Sequence, residues 1–190
     1  MATLVLTVIG DDRSGLVDAL AAPIVEHGGN WDRSHMARLA GKFAGIVVVT
    51  VPDERVDDLT SRLGTLAGQG LLDVTVAIAA PDGMPDRDTF LQLHLIGHDR
   101  PGIISEVAAA LAQRAVSIEE LATSSSSAPM SAERLFEAMA TLRVPAGVDP
   151  ADLRSTLESI ANELMVDLDV TEHRSSHDGP FDEGASDERR

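Results

Sequence analysis

Hydrophobic residues in the first half of the chain follow two periods, one typical of strands and one typical of helices. An apolar run at residues 4–9 ends at Gly10 and two aspartates, which predicts a strand followed by a tight turn. Apolar residues then recur every four positions over 16–24 and stop at Gly28-Gly29, which predicts a helix with one buried face. Pro23 removes a backbone donor inside this helix and is expected to kink it.

The next segments predict a hairpin, a second helix and a fourth strand. Residues 30–39 and 43–51 form the two arms of the hairpin, and Ala40-Gly41-Lys42 is its turn. Apolar residues with helical spacing follow at 56–66, and residues 72–78 alternate between apolar and polar. The predicted order of elements is therefore βαββαβ.

The same pattern occurs a second time. Seven residues between positions 4 and 15 match seven residues between positions 91 and 102, each pair being 87 residues apart. The match resumes with Phe43–Pro52 and Phe136–Pro145, which are 93 residues apart, so the second copy holds six extra residues. The extra residues fall in the serine-rich stretch 124–131, which is predicted to be a flexible loop.

The repeat predicts two α+β units. Residues 1–80 form the first and residues 89–171 the second; residues 81–88 are a turn-rich linker, and the polar, acidic residues 172–190 are a predicted disordered tail. Two βαβ halves of this kind give a ferredoxin-like sandwich, in which a four-stranded antiparallel sheet carries both helices on one face. In the second unit, Asp149 is the predicted N-cap of a helix that starts at Pro150.

We expect the two units to be paired. A unit of this length buries only about 60% of its unfolded surface and is marginally stable alone. The first strand is also apolar on both faces, because Val5 and Ile9 alternate with the residues predicted to face the core. This pattern suggests that another sheet or subunit covers the outer face.

Composition excludes several classes of function. Lys and Arg number 15 against 31 Asp and Glu, which gives a formal charge of −16 and argues against direct nucleic-acid binding. The chain has no cysteine, so it has no disulfide, thiolate nucleophile or cysteine-bound zinc. No basic leader and no apolar run of about eighteen residues is present, so we expect a cytoplasmic protein with no membrane segment.

The sequence shows no pattern that predicts an enzyme. It has no nucleophile elbow, phosphate-binding loop or zinc-binding helix signature. His94, His98 and Asp99 are the only grouping that suggests a metal, and the first unit has Thr7 and Asp11 in place of the two histidines. We therefore expect no catalytic residue, no metal and no cofactor.

The candidate chemistry lies in two similar turns, residues 10–16 and 97–103, each between a predicted strand and a predicted helix. Glycine in such a turn allows a positive φ and close approach to the backbone, and the start of the helix attracts a carboxylate. Asp12 or Asp99 could then meet an ammonium group, so a zwitterionic amino acid would suit the turn. The alternative is that the two aspartates cap their helices and the neighbouring arginines are solvated or paired with acids.

These turns, together with Gly-Gly-Asn-Trp at residues 28–31, resemble the ACT domain, and the resemblance covers residues 3–79 and 90–170. It implies the ferredoxin-like fold, side-by-side pairing of units and amino-acid binding between units. In this family the ligand contacts the turn after the first strand and the start of the second strand. The binding residues that this implies are Asp12, Arg13, Gly15, Leu16 and Asn30 in the first unit, and Asp99, Arg100, Gly102, Ile103 and Ser117 in the second.

The tandem arrangement is similar to that of the glycine cleavage system transcriptional repressor family. That resemblance implies a homo-oligomeric regulator of glycine and one-carbon metabolism that binds glycine or serine and acts through a protein partner such as a transcriptional activator. An alternative stays open, namely a regulatory accessory or assembly module of an enzyme of amino-acid metabolism or one like formyltetrahydrofolate deformylase, which begins with a similar ACT domain. Because Ser117 replaces Asn30 and loses an amide, weaker binding is expected in the second unit.

Overall fold

The computed structural model of the chain describes residues 1–79, 88–127 and 134–173, and these residues form two units with the same order of elements. Most of the predicted linker, residues 81–87, lies outside the described residues, as does the predicted tail from residue 174 onward. None of the helices in the described ranges combines the length and the hydropathy needed to cross a bilayer.

The first unit is a four-stranded antiparallel sheet with two helices. Its strands lie in the order β2-β3-β1-β4, so the first strand is central and the hairpin forms one side. The elements are β1 (Ala2–Asp11), α1 (Leu16–Glu26), β2 (Asn30–Leu39), β3 (Lys42–Val51), a short 3₁₀ turn (Asp53–Arg55), α2 (Val56–Gly68) and β4 (Asp73–Ile78).

The second unit repeats this arrangement. Its strand order, β6-β7-β5-β8, is the first unit's order with each strand replaced by its counterpart. The predicted ferredoxin-like βαββαβ fold is therefore confirmed in both units. The elements are β5 (Thr89–His98), α3 (Ile103–Ala112), β6 (Ser117–Ser127), β7 (Arg134–Val144), α4 (Pro150–Leu164) and β8 (Val166–His173).

Strand β1 shows how alternation places the core. Leu4, Leu6 and Val8 are at most 1% exposed, and each buried side chain of this size stabilises the fold by about 1.5–3 kcal/mol relative to an exposed one. On the outer face, Val5 is half-buried and Ile9 is 49% exposed. The first strand thus supplies the core on one face and leaves apolar surface on the other.

Helix α1 packs on this core through the predicted stripe of Leu16, Leu20 and Ile24, all buried. Pro23 lies inside the helix and lacks an N–H, so it cannot donate the helical hydrogen bond to the carbonyl of Ala19. The carbonyl of Pro23 itself accepts a hydrogen bond from the N–H of His27 at 3.1 Å, so the ladder resumes after the proline. The helix therefore continues to its predicted end.

The structure corrects the prediction for the serine-rich stretch 124–131. Residues 124–127 are not a loop but the last residues of β6, and they pair in register with residues 134–137 of β7. The ladder gives each serine a backbone partner, and this pairing outweighs the low strand propensity of serine. Residues 128–131 lie outside the described residues. Strand β8 similarly continues to His173, two residues beyond the predicted end, because β5 supplies pairing partners up to Phe90.

Candidate functional site

Each turn between the first strand and the first helix of a unit ends in a glycine with a left-handed backbone. Gly15 has φ +90° and Gly102 has φ +100°, and each directly precedes the first helical residue. A side chain would be strained at such angles, which explains why glycine recurs at both places. Within the described residues, no heavy atom lies within 4 Å of the position that a Cβ on Gly15 would occupy. The space above Gly15 is therefore open.

The aspartates of the two turns do not cap their helices. The N-cap positions of α1 and α3 are Gly15 and Gly102, three residues after the aspartates, and glycine has no side chain that could cap the helix. Instead, the backbone N–H of Asp12 donates to the carbonyl of Gly41 at 2.9 Å, and that of Asp99 donates to the carbonyl of Arg134 at 2.8 Å. The part of the alternative that made the aspartates helix caps is wrong, whereas its pairing of a turn arginine with a neighbouring acid holds for Arg100 and Glu106. The backbone hydrogen bonds hold each turn against its hairpin.

The carboxylates of both aspartates face arginines of the hairpins. Asp12 Oδ2 lies 3.1 Å from Arg38 Nη1, and Asp99 Oδ2 lies 3.4 Å from Arg134 Nε. The arginine side chains are 72% and 66% exposed, and such surface pairs contribute only about 0–1 kcal/mol. Each aspartate can therefore take a second cation, such as a ligand ammonium, at small energetic cost.

The arginines that follow the aspartates have different partners in the two units. The guanidinium of Arg13 donates to the carbonyl of Gly70, in the turn between α2 and β4. The guanidinium of Arg100 lies 3.5 Å from Glu106 Oε1, on the first turn of its own following helix. The positive charge is thus held by a neutral backbone group in the first unit and by a carboxylate in the second.

A further ion pair lies beside the first turn. The ammonium of Lys42 hydrogen-bonds to the carboxylate of Asp11, and this contact, followed by the charges of Lys42 and Arg13, lowers the pKa of Asp11 below its ordinary value. Asp11 consequently stays ionised at neutral pH. Asp11, the last residue of β1, and Asp12, which follows it, thus each face a cation of the hairpin.

An open depression of about 320 Å³ lies over the first turn. Its volume is at the lower end of the range for small-molecule sites, and its rim carries charges of both signs. Leu16 as a whole residue is only 2% exposed, so it forms the closed floor of the depression. The lining residues are Asp12, Arg13, Gly15, Leu16, Val17, Asp18 and Phe43.

The structure brings four of the five first-unit candidates together around this depression, and Asn30 is not among its lining residues. The amide nitrogen of Asn30 donates to Asp32 Oδ1 at 2.6 Å, and the hydroxyl of Thr50 donates to the other oxygen of the same carboxylate. Asn30 is thus part of a cross-strand network at the start of β2. The sequence did not single out Val17, Asp18 or Phe43, although the match of Phe43 to Phe136 in the repeat was a usable signal.

In the second unit the corresponding strand start is held by ion pairs. Ser117 opposes Arg143 in the ladder between β6 and β7. Arg143 Nε donates to Glu119 Oε1 at 2.7 Å, and Arg143 Nη1 lies 3.3 Å from Asp88 Oδ2, whose side chain is only 7% exposed. The hydrogen bonds that Arg143 donates to Glu119 and Asp88 raise the pKa of Arg143 above its ordinary value. A charged cluster therefore takes the place of the amide network.

The histidines suggested as metal ligands do not form a cluster with Asp99. His94 Nε2 lies 2.8 Å from Glu137 Oε1, across the sheet on β7. The described residues contain no group of three or more His, Asp or Glu side chains arranged to hold a metal ion. The arrangement around His94 is a surface pair between neighbouring strands.

Comparison with known proteins agrees with this architecture. A protein of unknown function from Galdieria sulphuraria has 26% identity and a TM-score of 0.81, covering 91% of this chain and 99% of its own. A "putative glycine cleavage system transcriptional repressor" has 18% identity and a TM-score of 0.69, with 92% and 98% coverage. A formyltetrahydrofolate deformylase from Pseudomonas syringae pv. tomato has 27% identity and a TM-score of 0.38, with 48% and 28% coverage. No curated protein sequence matches the chain.

The match to a protein family covers both units. The family model described as ACT domain matches residues 2–77 and residues 89–171, so it includes both of the glycine turns and nearly all of the strands and helices. The predicted resemblance is thereby confirmed, and the chain belongs to the ACT domain family, with one ACT domain in each unit.

Proposed function

We propose that this protein is a regulator without catalytic activity that binds a small amino acid, glycine or serine, at the turn between β1 and α1. The observation that carries the proposal is the open depression over Gly15, where a helix begins beside two carboxylates and a guanidinium. At this place each charged end of a free amino acid would meet a group of opposite charge.

The two ends of the ligand have separate partners. The ligand carboxylate accepts hydrogen bonds from the first backbone N–H groups of α1, which carry the positive end of the helix dipole, with Arg13 beside them. The ligand ammonium faces Asp12 and Asp18 on the rim. Phe43, Leu16 and Val17 form the apolar part of the lining.

The regulatory part of the proposal rests on charge and fold. A net charge of −16 opposes direct contact with nucleic acid, so occupancy of the site is passed to a protein partner, such as a transcriptional activator of glycine or one-carbon metabolism, in the cytoplasm. The fold shared with a "putative glycine cleavage system transcriptional repressor" supports this direction. The half-exposed Ile9 and Ile46 on the outer face of the first sheet support a homo-oligomer.

Calorimetric titration of the full chain with glycine, serine and a panel of larger amino acids tests the proposal. We expect heat of binding and a raised melting temperature with glycine or serine only. Absence of heat, together with an unchanged melting temperature across the panel, would refute amino-acid sensing.

Gly15→Val tests the position of the site, because a branched side chain would fill the depression. Gly28→Val is the matched control, since Gly28 also has a positive φ, +71°, but follows the other end of α1. We expect loss of glycine binding in Gly15→Val and retained binding in the control. Equal affinities of the two variants would contradict the assignment.

Co-purification in the presence and absence of glycine tests the partner. A partner whose retention depends on glycine supports regulation through protein contact. The alternative role as an accessory module of an enzyme stays a prediction, and formyl-group hydrolysis that depends on this chain and an added catalytic subunit would favour it.

A further inference from the structure

The two glycine turns differ in what lies above the glycine. Above Gly15 the space is open, with no heavy atom of the described residues within 4 Å of the Cβ position. Above Gly102 the Cβ position lies 3.4 Å from Glu106 Oε1. The same oxygen is 3.5 Å from Arg100 Nη2. A side chain from the first turn of α3 therefore folds back over the second glycine and meets the arginine of that turn.

The difference comes from one side chain and not from the backbone. The repeat aligns Glu106 with Ala19, which has no group that could reach back. The N–H of Ala19 donates to the carbonyl of Gly15 at 2.9 Å, and the N–H of Glu106 donates to the carbonyl of Gly102 at 2.9 Å. The two helices thus begin with the same hydrogen bond, and only the second carries a carboxylate at this position.

The acid in the first turn of α1 plays a different part. Asp18 directly precedes Ala19, the residue that aligns with Glu106. Its side chain lines the depression and does not cover Gly15. A carboxylate at this place leaves the start of the helix open to a ligand carboxylate. The first turn is therefore open because its helix carries an acid at residue 18, and the second is covered because its helix carries an acid at residue 106.

We propose that Glu106 is an internal ligand of the second turn, and that the unmodified chain binds one amino acid, in the first unit. This inference rests on the proposed function. The carboxylate of Glu106 lies near the positive end of α3 and beside Arg100, which are the partners that a ligand carboxylate would need. An incoming amino acid must displace Glu106 or approach it as a like charge.

The exposed fractions of the Glu106 and Arg100 side chains determine how strongly Glu106 weakens ligand binding at the second turn. The side chains of Glu106 and Arg100 are 49% and 38% exposed, so the pair is a surface ion pair of modest strength. Loss of this pair, together with repulsion from the displaced carboxylate, lowers the affinity of the second turn about ten-fold. The block is therefore removable by a single substitution.

A pair of reciprocal substitutions in the full chain tests the inference with glycine as the probe. Glu106→Ala opens the second turn, and Ala19→Glu places the covering side chain over the first. Glu158→Ala is the control, because it removes an exposed acid of α4 and so makes the same change in net charge as Glu106→Ala. Calorimetry gives the number of sites, and the amide NMR signals of Gly15 and Gly102 report the two turns separately.

At glycine concentrations near the Kd of the first turn, we expect one site in the unmodified chain and in the control, with the Gly15 signal moving and the Gly102 signal following only at about ten-fold higher concentration. In Glu106→Ala the Gly102 signal moves as well, the second turn binds about ten-fold more tightly, and the stoichiometry rises to two. Ala19→Glu weakens the first turn about ten-fold. Melting curves of each variant confirm that the fold is retained.

Three results overturn part of this reasoning, each at a different step. Equal movement of both signals in the unmodified chain overturns the inference about Glu106 and leaves the proposed function intact. No movement in any variant refutes the proposed function and the inference together. Movement of Gly102 alone in Glu106→Ala, with Gly15 silent throughout, supports the covering role of Glu106 but refutes the placement of the working site in the first unit.

Discussion

Replacement of Gly15 by alanine separates the cost of its backbone conformation from the effect on binding. At φ +90° and ψ 0° an L-residue loses about 1–2 kcal/mol, because its Cβ crowds its own backbone. No described atom lies within 4 Å of the added Cβ, so steric contact with the rest of the fold adds nothing. For a unit of this size, that loss lowers the melting temperature by roughly 5–15 °C.

The assay can follow the first unit alone. Trp31, the single tryptophan of the sequence, lies on β2 and packs against the core of the first unit, so its fluorescence reports the unfolding of that unit. Gly64→Ala is a control of opposite sign. Gly64 lies inside α2 with no described atom within 4 Å of its Cβ position, and alanine there should stabilise the unit by about 0.5–1 kcal/mol.

Two results would refute the reasoning about Gly15. If Gly15→Ala is as stable as the unmodified chain while Gly64→Ala behaves as expected, the positive φ does not constrain the turn. If Gly15→Ala is destabilised but binds glycine with unchanged affinity, the depression is not where the ligand lies, because the added methyl group projects into it.

Two other predictions concern single contacts. Asp149 caps α4 by accepting a hydrogen bond from the N–H of Ala151 at 2.9 Å, so Asp149→Ala should destabilise the second unit by about 1 kcal/mol. Circular dichroism should show this loss as a lower melting temperature of the helical signal, and an unchanged melting temperature would count against the cap. Lys42 lowers the folded-state pKa of Asp11 below its ordinary value of 3.8, so this pair stabilises the fold above that pH and loses its effect as the pH falls through the lowered pKa. The stability difference between the unmodified chain and Lys42→Met should therefore be fully present at about pH 6 and shrink as the pH falls below 3.8, and a difference that does not change with pH would contradict it.

Periodicity was sufficient to predict the fold. Leu4, Leu6 and Val8 at a spacing of two, followed by Leu16 and Leu20 at a spacing of four, determine a strand and a helix that share one core. Each stripe needs the other for burial, so the local pattern and the tertiary packing agree. The same consistency holds in the second unit, and the order of elements therefore follows from the sequence.

Side-chain partners could not be predicted in the same way. The serines at 124–127 have little preference for a strand, and their strand conformation depends on pairing with residues 134–137 across the hairpin. Asp12 lies in the predicted turn, but its carboxylate faces Arg38 of the hairpin, and its backbone N–H donates to the carbonyl of Gly41. A sequence pattern defines which residues share a strand or helix. The partner of a side chain, in contrast, depends on which residues of neighbouring elements the fold places beside it.

The second unit has charged pairs at both of the places where the family resemblance put ligand contacts. In its turn, Arg100 faces Glu106, and at the start of its second strand Arg143 joins Glu119 to Asp88. The first unit has a backbone carbonyl as the partner of its turn arginine, and an uncharged amide and hydroxyl at the strand start. In the second unit a ligand carboxylate would compete with Glu106 for Arg100, whereas the hydrogen-bond partner of Arg13 is a neutral carbonyl that does not repel a ligand carboxylate. At the turn, the divergence of the two copies therefore favours ligand binding in the first unit. The two strand starts also differ, but Asn30 does not line the depression and its amide is bound to Asp32.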